Sequence, residues 1–161
     1  MINIRRLESP YIVVKLLTAL KGFYTFKELE DKLGLSFHIL WRYVSLRSLP
    51  EEKTAKMILQ RVEEYNPIGS IVSRVIRVNS FGYVETWRYL YNVNFLEIIG
   101  YETSKFIGEA KVDIVVVFPE EDMPLALVIS SWLGSRVCVV KTRASLDLGR
   151  YRQAQYTSRD K

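Results

Sequence analysis

Residues 24–58 read YTFKELEDKLGLSFHILWRYVSLRSLPEEKTAKMI, and they carry the clearest structural punctuation in the chain. Thr25 and Glu28 have the Thr-x-x-Glu spacing of a capping box, in which each side chain satisfies a backbone N–H of the other at a helix start. Tyr24 and Leu29 occupy the flanking positions of a hydrophobic staple. Leu29 and Leu33 turn inward, Glu30, Asp31 and Lys32 are polar, and Gly34 supplies the left-handed residue that ends a helix. Ser36 then caps a second helix over about residues 36–46. Leu40, Tyr43 and Val44 share one face of it, at the spacing of neighbours on a helix surface. His38, Arg42 and Ser45 lie on the opposite face, with Phe37 and Trp41 at its edge. Packing of Phe37 on a neighbouring helix is the simpler reading for that ring, whereas nothing in the pattern demands that Trp41 be buried.

Upstream, PYIVVKLLTALK (10–21) is apolar nearly all round, with Lys15 and Lys21 as polar breaks. Ser9 and Pro10 suit a cap and first helical position, and Gly22 is read as the stop. This predicts a mostly buried first helix. Downstream, Leu49-Pro50-Glu51-Glu52 opens another helix, with proline near its first position and carboxylates at the positive end of its dipole. Ala55, Ile58, Leu59 and Val62 form the buried stripe. Asn66-Pro67 and Gly69 end it, which predicts a helical domain over 1–66 and a second domain over 67–161.

The second part is less explicit. SIVSRVIRV (70–78) fits a strand or a short amphipathic helix, and periodicity does not choose between them. Asn79-Ser80-Phe81-Gly82 is a turn, and residues 83–108 read as two short helices broken near 92–94. Their aromatic residues, among them Trp87, Tyr89, Tyr91, Phe95, Tyr101 and Phe106, suit a core or a dimer interface. KVDIVVVF (111–118) is a continuous β-branched run, which predicts a strand buried on both faces. A helix in PLALVISSWLG and a second strand in RVCVVK complete one parallel βαβ unit. One such unit cannot close a sheet, so 71–78, a partner chain or further sequence would have to extend it. The stretch from about 143 is basic and poor in core residues, and reads as a mobile tail.

Composition narrows the classes. Hydrophobic residues make up 48% and charged residues 25%, the balance of a globular chain. The net charge of +5 is unevenly spread. Residues 1–66 hold eleven Lys/Arg against eight Asp/Glu, 67–142 hold seven against eight, and 143–161 hold five against two. Positive charge thus gathers in the helical part and the tail, which points to an anionic partner. A single cysteine, Cys138, and a single histidine, His38, offer neither an internal disulfide nor a zinc cluster, so no cofactor is expected. No apolar run reaches the roughly 20 residues of a membrane span, and the first residues lack a signal-peptide core. The expected location is cytoplasmic, with no membrane partner.

The segment LGLSFHILWRYVSLRSLPEEKTAKMIL resembles the helix-turn-helix of the lambda-repressor-like superfamily, in a form marked by Arg42-Tyr43-Val44 followed by Leu49-Pro50. This form resembles the N-terminal domain of archaeal regulators that join a helix-turn-helix to a type I phosphoribosyltransferase-like domain. KVDIVVVFPEEDMPLALVISSWLGSRVCVVK is similar to the first strand, loop, helix and second strand of that second fold, with Asp113 and Lys141 at matching positions. The two segments cover about 60 of the 161 residues. Departures are equally specific. Glu30 stands where a small residue is usual, and the loop Pro119-Glu120-Glu121-Asp122 has three carboxylates where active phosphoribosyltransferases have glycines. Those charges would repel pyrophosphate unless a metal intervened. The acidic, Thr/Gly-rich phosphoribosyl pyrophosphate motif is absent.

The resemblance therefore implies an α+β or α/β chain, with a helix-turn-helix domain followed by an incomplete phosphoribosyltransferase-like domain, and no enzyme activity. It implies a transcription regulator that binds double-stranded DNA as a homodimer, with Thr25, Lys27, Ser36, Phe37, His38, Trp41, Arg42, Ser45 and Arg47 at the interface. Arg42 and His38 would meet base edges, Thr25 and Ser36 phosphates, and Lys27, Lys32 and Arg47 would supply non-specific attraction. A nucleotide-salvage enzyme, or a regulator sensing a nucleotide or phosphoribosyl pyrophosphate, is the alternative if the ligand loop lies beyond Lys161. A protein-docking module is the third.

Overall fold

In a computed structural model of the chain, residues 9–84, 87–118 and 120–140 are described. The molecule is mostly helical, with one small parallel sheet, an α+β architecture. The expected tail from 143, and with it Lys141 and Pro119, lies outside the described residues.

Helix α1 (Pro10–Lys21) is the centre of the fold. Val13, Val14, Leu16, Leu17, Ala19 and Leu20 are all buried on it, as expected of a helix that is apolar nearly all round. Gly22 ends it in a right-handed conformation (φ −65°), so no left-handed turn requires this glycine. Space does: a Cβ there would collide with the side chain of Asn94. Helix α2 (Phe26–Leu33) carries the full capping box, with both reciprocal bonds formed, and Tyr24 and Leu29 of the staple are buried. Helix α3 (Phe37–Val44) follows after a three-residue turn, and α4 (Glu52–Tyr65) after residues 45–51. Pro50 is buried just ahead of the cap residue Glu51, two positions before the first helical residue, Glu52.

Asn66 closes α4 in the left-handed region (φ 40°), and its side chain accepts a bond from Gly69 N (3.2 Å). Pro67 stands at the first position of α5 (Pro67–Val75). Cap and proline together draw 70–75 into the helix, and 76–78 leave it extended, contributing a single bridge at Val78 and no third strand to the sheet. A short bridge between Val78 and Val84 then closes a turn, with Asn79 Oδ1 accepting from the backbone N–H of Phe81 and Tyr83. Helix α6 (Trp87–Leu90) leads to α7 (Val93–Ile107), which Asn92 caps through Phe95 N (3.1 Å). The second of the two expected helices is thus not short, at 15 residues. The aromatic residues of this stretch divide: Phe95 and Tyr101 are buried, Tyr91 and Phe106 exposed.

Strand β1 (Ile114–Val117) pairs in parallel with β2 (Arg136–Val139), and α8 (Met123–Leu133) connects them after a 3-10 turn over Glu120–Asp122. The expectation that β1 is buried on both faces does not hold. Val117 is 5% exposed and Val116 63%, and Phe118 and Val140 are exposed as well. Helix α8 covers one face of the sheet, and a β-branched run reports a strand without reporting what covers its second face.

One hydrophobic cluster joins helices from both sides of the boundary expected at 66–67. Leu17, Leu20 and Leu40 belong to the same cluster as Ile71, Ile98 and Trp132. A polar tie reinforces the junction of α1, α7 and α8: Glu97 Oε2 accepts from Trp132 Nε1 (2.6 Å) and pairs with Lys15 Nζ (2.9 Å), which also lies 4.5 Å from the indole centre. No helix among the described residues is long and apolar enough to cross a membrane.

Candidate nucleic-acid interface

The geometry of α2, turn and α3 follows from three residues. Gly34 sits in the left-handed region (φ 65°, ψ 25°) and donates its N–H to Glu30 O (2.8 Å), stopping α2. Leu35 is buried and pins the turn to the core, and Ser36 starts α3. Leu40, with no exposed surface, seats α3, while Tyr43 and Val44 pack half-buried against the same cluster. The side of α3 turned away from these residues therefore faces solvent.

All nine sequence-predicted residues (Thr25, Lys27, Ser36, Phe37, His38, Trp41, Arg42, Ser45 and Arg47) are exposed. The first residues of α2 and α3 touch: Phe26 and Phe37 meet edge-to-face at 5.1 Å, and Phe37 meets His38 at 5.5 Å. Phe37 thus both packs on a neighbouring helix and keeps 45% of its surface open. At the other end of α3, the Arg47 guanidinium lies 4.5 Å from the centre of the Trp41 ring, which explains an exposed indole without a core role. That end is closed by a Schellman motif, with Leu46 N bonded to Tyr43 O and Arg47 N to Arg42 O, both 2.9 Å. Leu46 takes the left-handed position (φ 56°) that glycine usually fills, and is 65% exposed.

Hydrogen-bond chemistry separates the nine. Ser36 makes no capping bond with its side chain, so its hydroxyl and the first N–H groups of α3 are available to an anion. Thr25 differs. Its Oγ1 donates to Glu28 Oε2 (2.8 Å), its N–H donates to the same oxygen (2.7 Å), and Oγ1 accepts from Glu28 N (3.2 Å). Both donors are committed, so the expected phosphate contact by Thr25 has no proton to use. Ser45 is similar, since its Oγ donates to Trp41 O (2.6 Å). The bonds from Thr25 hold the Glu28 carboxyl below its ordinary pKa, with smaller help from Arg74 and Lys32.

Two further cations at this end escaped the sequence reading, and a third, Lys32, is better placed than its spacing suggested. Lys21 lies 4.9 Å from the Phe26 ring, Lys32 5.5 Å from Tyr24, and Arg74 5.8 Å from Tyr24. Lys21 looked like a polar break in α1, and Arg74 sits beyond the expected domain boundary. The exposed pattern of cations beside aromatic residues was the available signal, but only the fold brings 21, 26, 24 and 74 together.

Elsewhere the chemistry is sparse. Asp113 precedes β1, exposed and bonded to Lys111 Nζ (2.9 Å), which together with Arg136 keeps its carboxyl ionised below the ordinary range. A cavity of about 500 Å³ between α4, α5 and α7 is bordered by Glu63, Asn66, Gly69, Glu102 and Lys105. Lys105 bridges the two glutamates there, at 3.3 and 3.6 Å. Among the described residues no three His, Cys, Asp or Glu side chains gather as metal ligands would. No protein-family model matches the chain, and neither does any curated protein or solved structure.

Proposed function

We propose that this chain is a sequence-specific, DNA-binding transcription regulator that inserts α3 into the major groove and acts as a cytoplasmic homodimer. The observation that carries the reading is the division of α3 into two sides. Leu40 is wholly buried, while Phe37, His38, Trp41 and Arg42 stand open, with Arg47 lying over the Trp41 ring just past the helix end. Eight residues of helix are about 12 Å long, and the major groove is about 12 Å wide. Arg42 is the base reader, since bidentate arginine on guanine is the commonest specific contact, worth about 1–3 kcal/mol of discrimination. His38 and Trp41 flank it. Ser36, Lys27 and Arg47 hold phosphates and set register without reading sequence. Thr25 and Ser45 support the two helix ends in place of contacting the nucleic acid.

In the same proposal the α2–turn–α3 unit is a lambda-repressor-like helix-turn-helix, and the βαβ unit is a phosphoribosyltransferase-like remnant with no catalytic role. One reader helix per chain buries little surface, so a pair of chains would bind half-sites about 34–36 Å apart.

A mobility-shift titration on the upstream region of the protein's own gene, at two salt concentrations, tests the reading. Wild type is expected to bind at low salt and weaken as salt rises. Arg42→Ala is expected to lose about 1–3 kcal/mol of preference for the specific duplex over an unrelated one. Absence of binding by wild type at low salt would sink the proposal, and equal preference in both proteins would remove Arg42 from the reader.

A further inference from the structure

We infer that Arg74, near the end of α5, contacts a DNA backbone phosphate beside the start of α2, adding an element from the second part of the chain to the surface proposed above. The inference rests on that DNA-binding reading and makes it more specific.

The start of α2 poses an electrostatic problem. Helix N-termini attract phosphates, but here the capping box commits both Thr25 donors to Glu28 and fixes a carboxylate at the same spot. A phosphate could approach only if cations outweighed that charge. They are present. Arg74 lies over the ring of Tyr24, the residue immediately before the cap, and is close enough to Glu28 for its charge to act on that carboxyl. Lys32 lies over the same ring and Lys21 over Phe26, while Lys27 is exposed on the first turn of α2. Arg74 and Lys32 therefore both act on the Glu28 carboxylate, with Lys21 and Lys27 on the neighbouring residues.

Arg74 differs from the lysines in how it is held. Tyr24 is itself immobilised: it is buried, and its Oη donates to Pro67 O (2.9 Å), the first residue of α5. That bond fastens the start of α5 to the entry of α2, so Arg74 reaches Tyr24 from a helix anchored to the same residue. A guanidinium lying on a ring face keeps its in-plane N–H groups free, and these match the oxygens of a phosphate in pairs. Arg74 is exposed, so no rearrangement is needed to offer them.

The test is a fluorescence-anisotropy titration of the whole chain on the upstream duplex and on an unrelated duplex of equal length, repeated across a salt series. Arg74→Met keeps the stem on Tyr24 and removes the charge; Arg74→Lys keeps the charge. The expected result for Arg74→Met is a fall of about one unit in the slope of log affinity against log salt, with equal weakening on both duplexes. Arg74→Lys should retain the slope. An unchanged slope in Arg74→Met, with wild type binding normally, would overturn the inference and leave the regulator reading standing. Loss confined to the upstream duplex would also overturn it, because a phosphate contact does not read sequence. If wild type binds neither duplex, the underlying reading fails and the inference with it.

Discussion

Helix α3 and strand β1 are both short and rich in apolar residues, yet they meet the rest of the molecule in opposite ways. On α3, one residue with no exposed surface, Leu40, seats the helix, and the exposed Phe37, Ile39 and Trp41 are interleaved with His38, Arg42 and the Ser45 hydroxyl at its end. On β1, Val117 is buried under α8, and the open side is Val116 at 63% exposure, continued by Phe118. An open face with polar and cationic groups is stable in water and suits a partner that is itself hydrated and charged. An open valine and phenylalanine face on a parallel strand is what a second covering layer ordinarily hides. Polarity of the uncovered side, and not the degree of exposure, separates a surface built for solvent from one that is incomplete.

The largest expected effect contrasts the two directly. Leu40→Ala removes buried methyl groups and leaves a cavity under α3, at an expected cost of about 2–5 kcal/mol. Val116→Ala, on the open side of β1, should cost less than about 0.5 kcal/mol in an isolated chain. Urea unfolding of both variants checks this. If Val116→Ala proves as costly as Leu40→Ala, the sheet face is covered in solution, and the contrast drawn from the single chain fails.

The next effect concerns the junction that links the two regions. Gly100 lies inside α7, where glycine to alanine ordinarily stabilises by about 1 kcal/mol. Here the added Cβ would fall on Cδ1 of the Trp132 indole, well inside contact distance. Gly100→Ala is therefore expected to destabilise by about 1–3 kcal/mol, the usual range for overpacking. A thermal melt reads the sign, and a rise in melting temperature would mean that Trp132 is not held against α7 by Glu97 and Lys15.

The same two regions explain what could be read in the sequence. Capping chemistry is local, so Thr25 with Glu28 and Gly34 announced α2 and its stop within ten residues. The Leu40, Tyr43 and Val44 face followed from helical spacing alone. Residues 70–78 are ambiguous because nine residues with five β-branched side chains satisfy both periods, and the deciding groups, Asn66 and Pro67, sit just outside the stretch. The Lys15–Glu97–Trp132 tie joins residues far apart in the chain and leaves no periodic trace. Arg74 stayed hidden for the same reason, because Tyr24 and Pro67 must meet before its guanidinium can reach the start of α2. The commitment of the Thr25 and Ser45 hydroxyls was equally illegible, since residue type shows a donor without showing whether it is already used.

A smaller effect tests the cap itself. Thr25→Ala should cost about 1 kcal/mol, the usual loss for a removed helix cap. The Glu28 half of the box adds a pH dependence whose sign is fixed. Because the bonds from Thr25 lower the Glu28 pKa in the folded chain, its contribution is fully present above the ordinary glutamate value. It fades as pH falls from that value through the lowered one. Unfolding midpoints measured from neutral to acid pH should therefore converge for wild type and Glu28→Gln. Curves that stay parallel would mean that the carboxylate is not the capping species.

The smallest effect is at Leu46, where α3 ends. A side chain in the left-handed region costs roughly 1–2 kcal/mol, because its Cβ crowds the following carbonyl. Leu46→Gly removes that cost but enlarges the freedom of the unfolded chain, which returns about 0.4–1 kcal/mol. Leu46 is 65% exposed, so little packing is lost, and the net change should be a gain of no more than about 1 kcal/mol. A glycine would also free the turn that carries Arg47 over Trp41. The variant is thus expected to fold at least as well as wild type while showing faster amide exchange over residues 45–48. A net loss of stability would show that the Leu46 side chain makes a contact in solution that the single chain lacks, and that this end of α3 is covered.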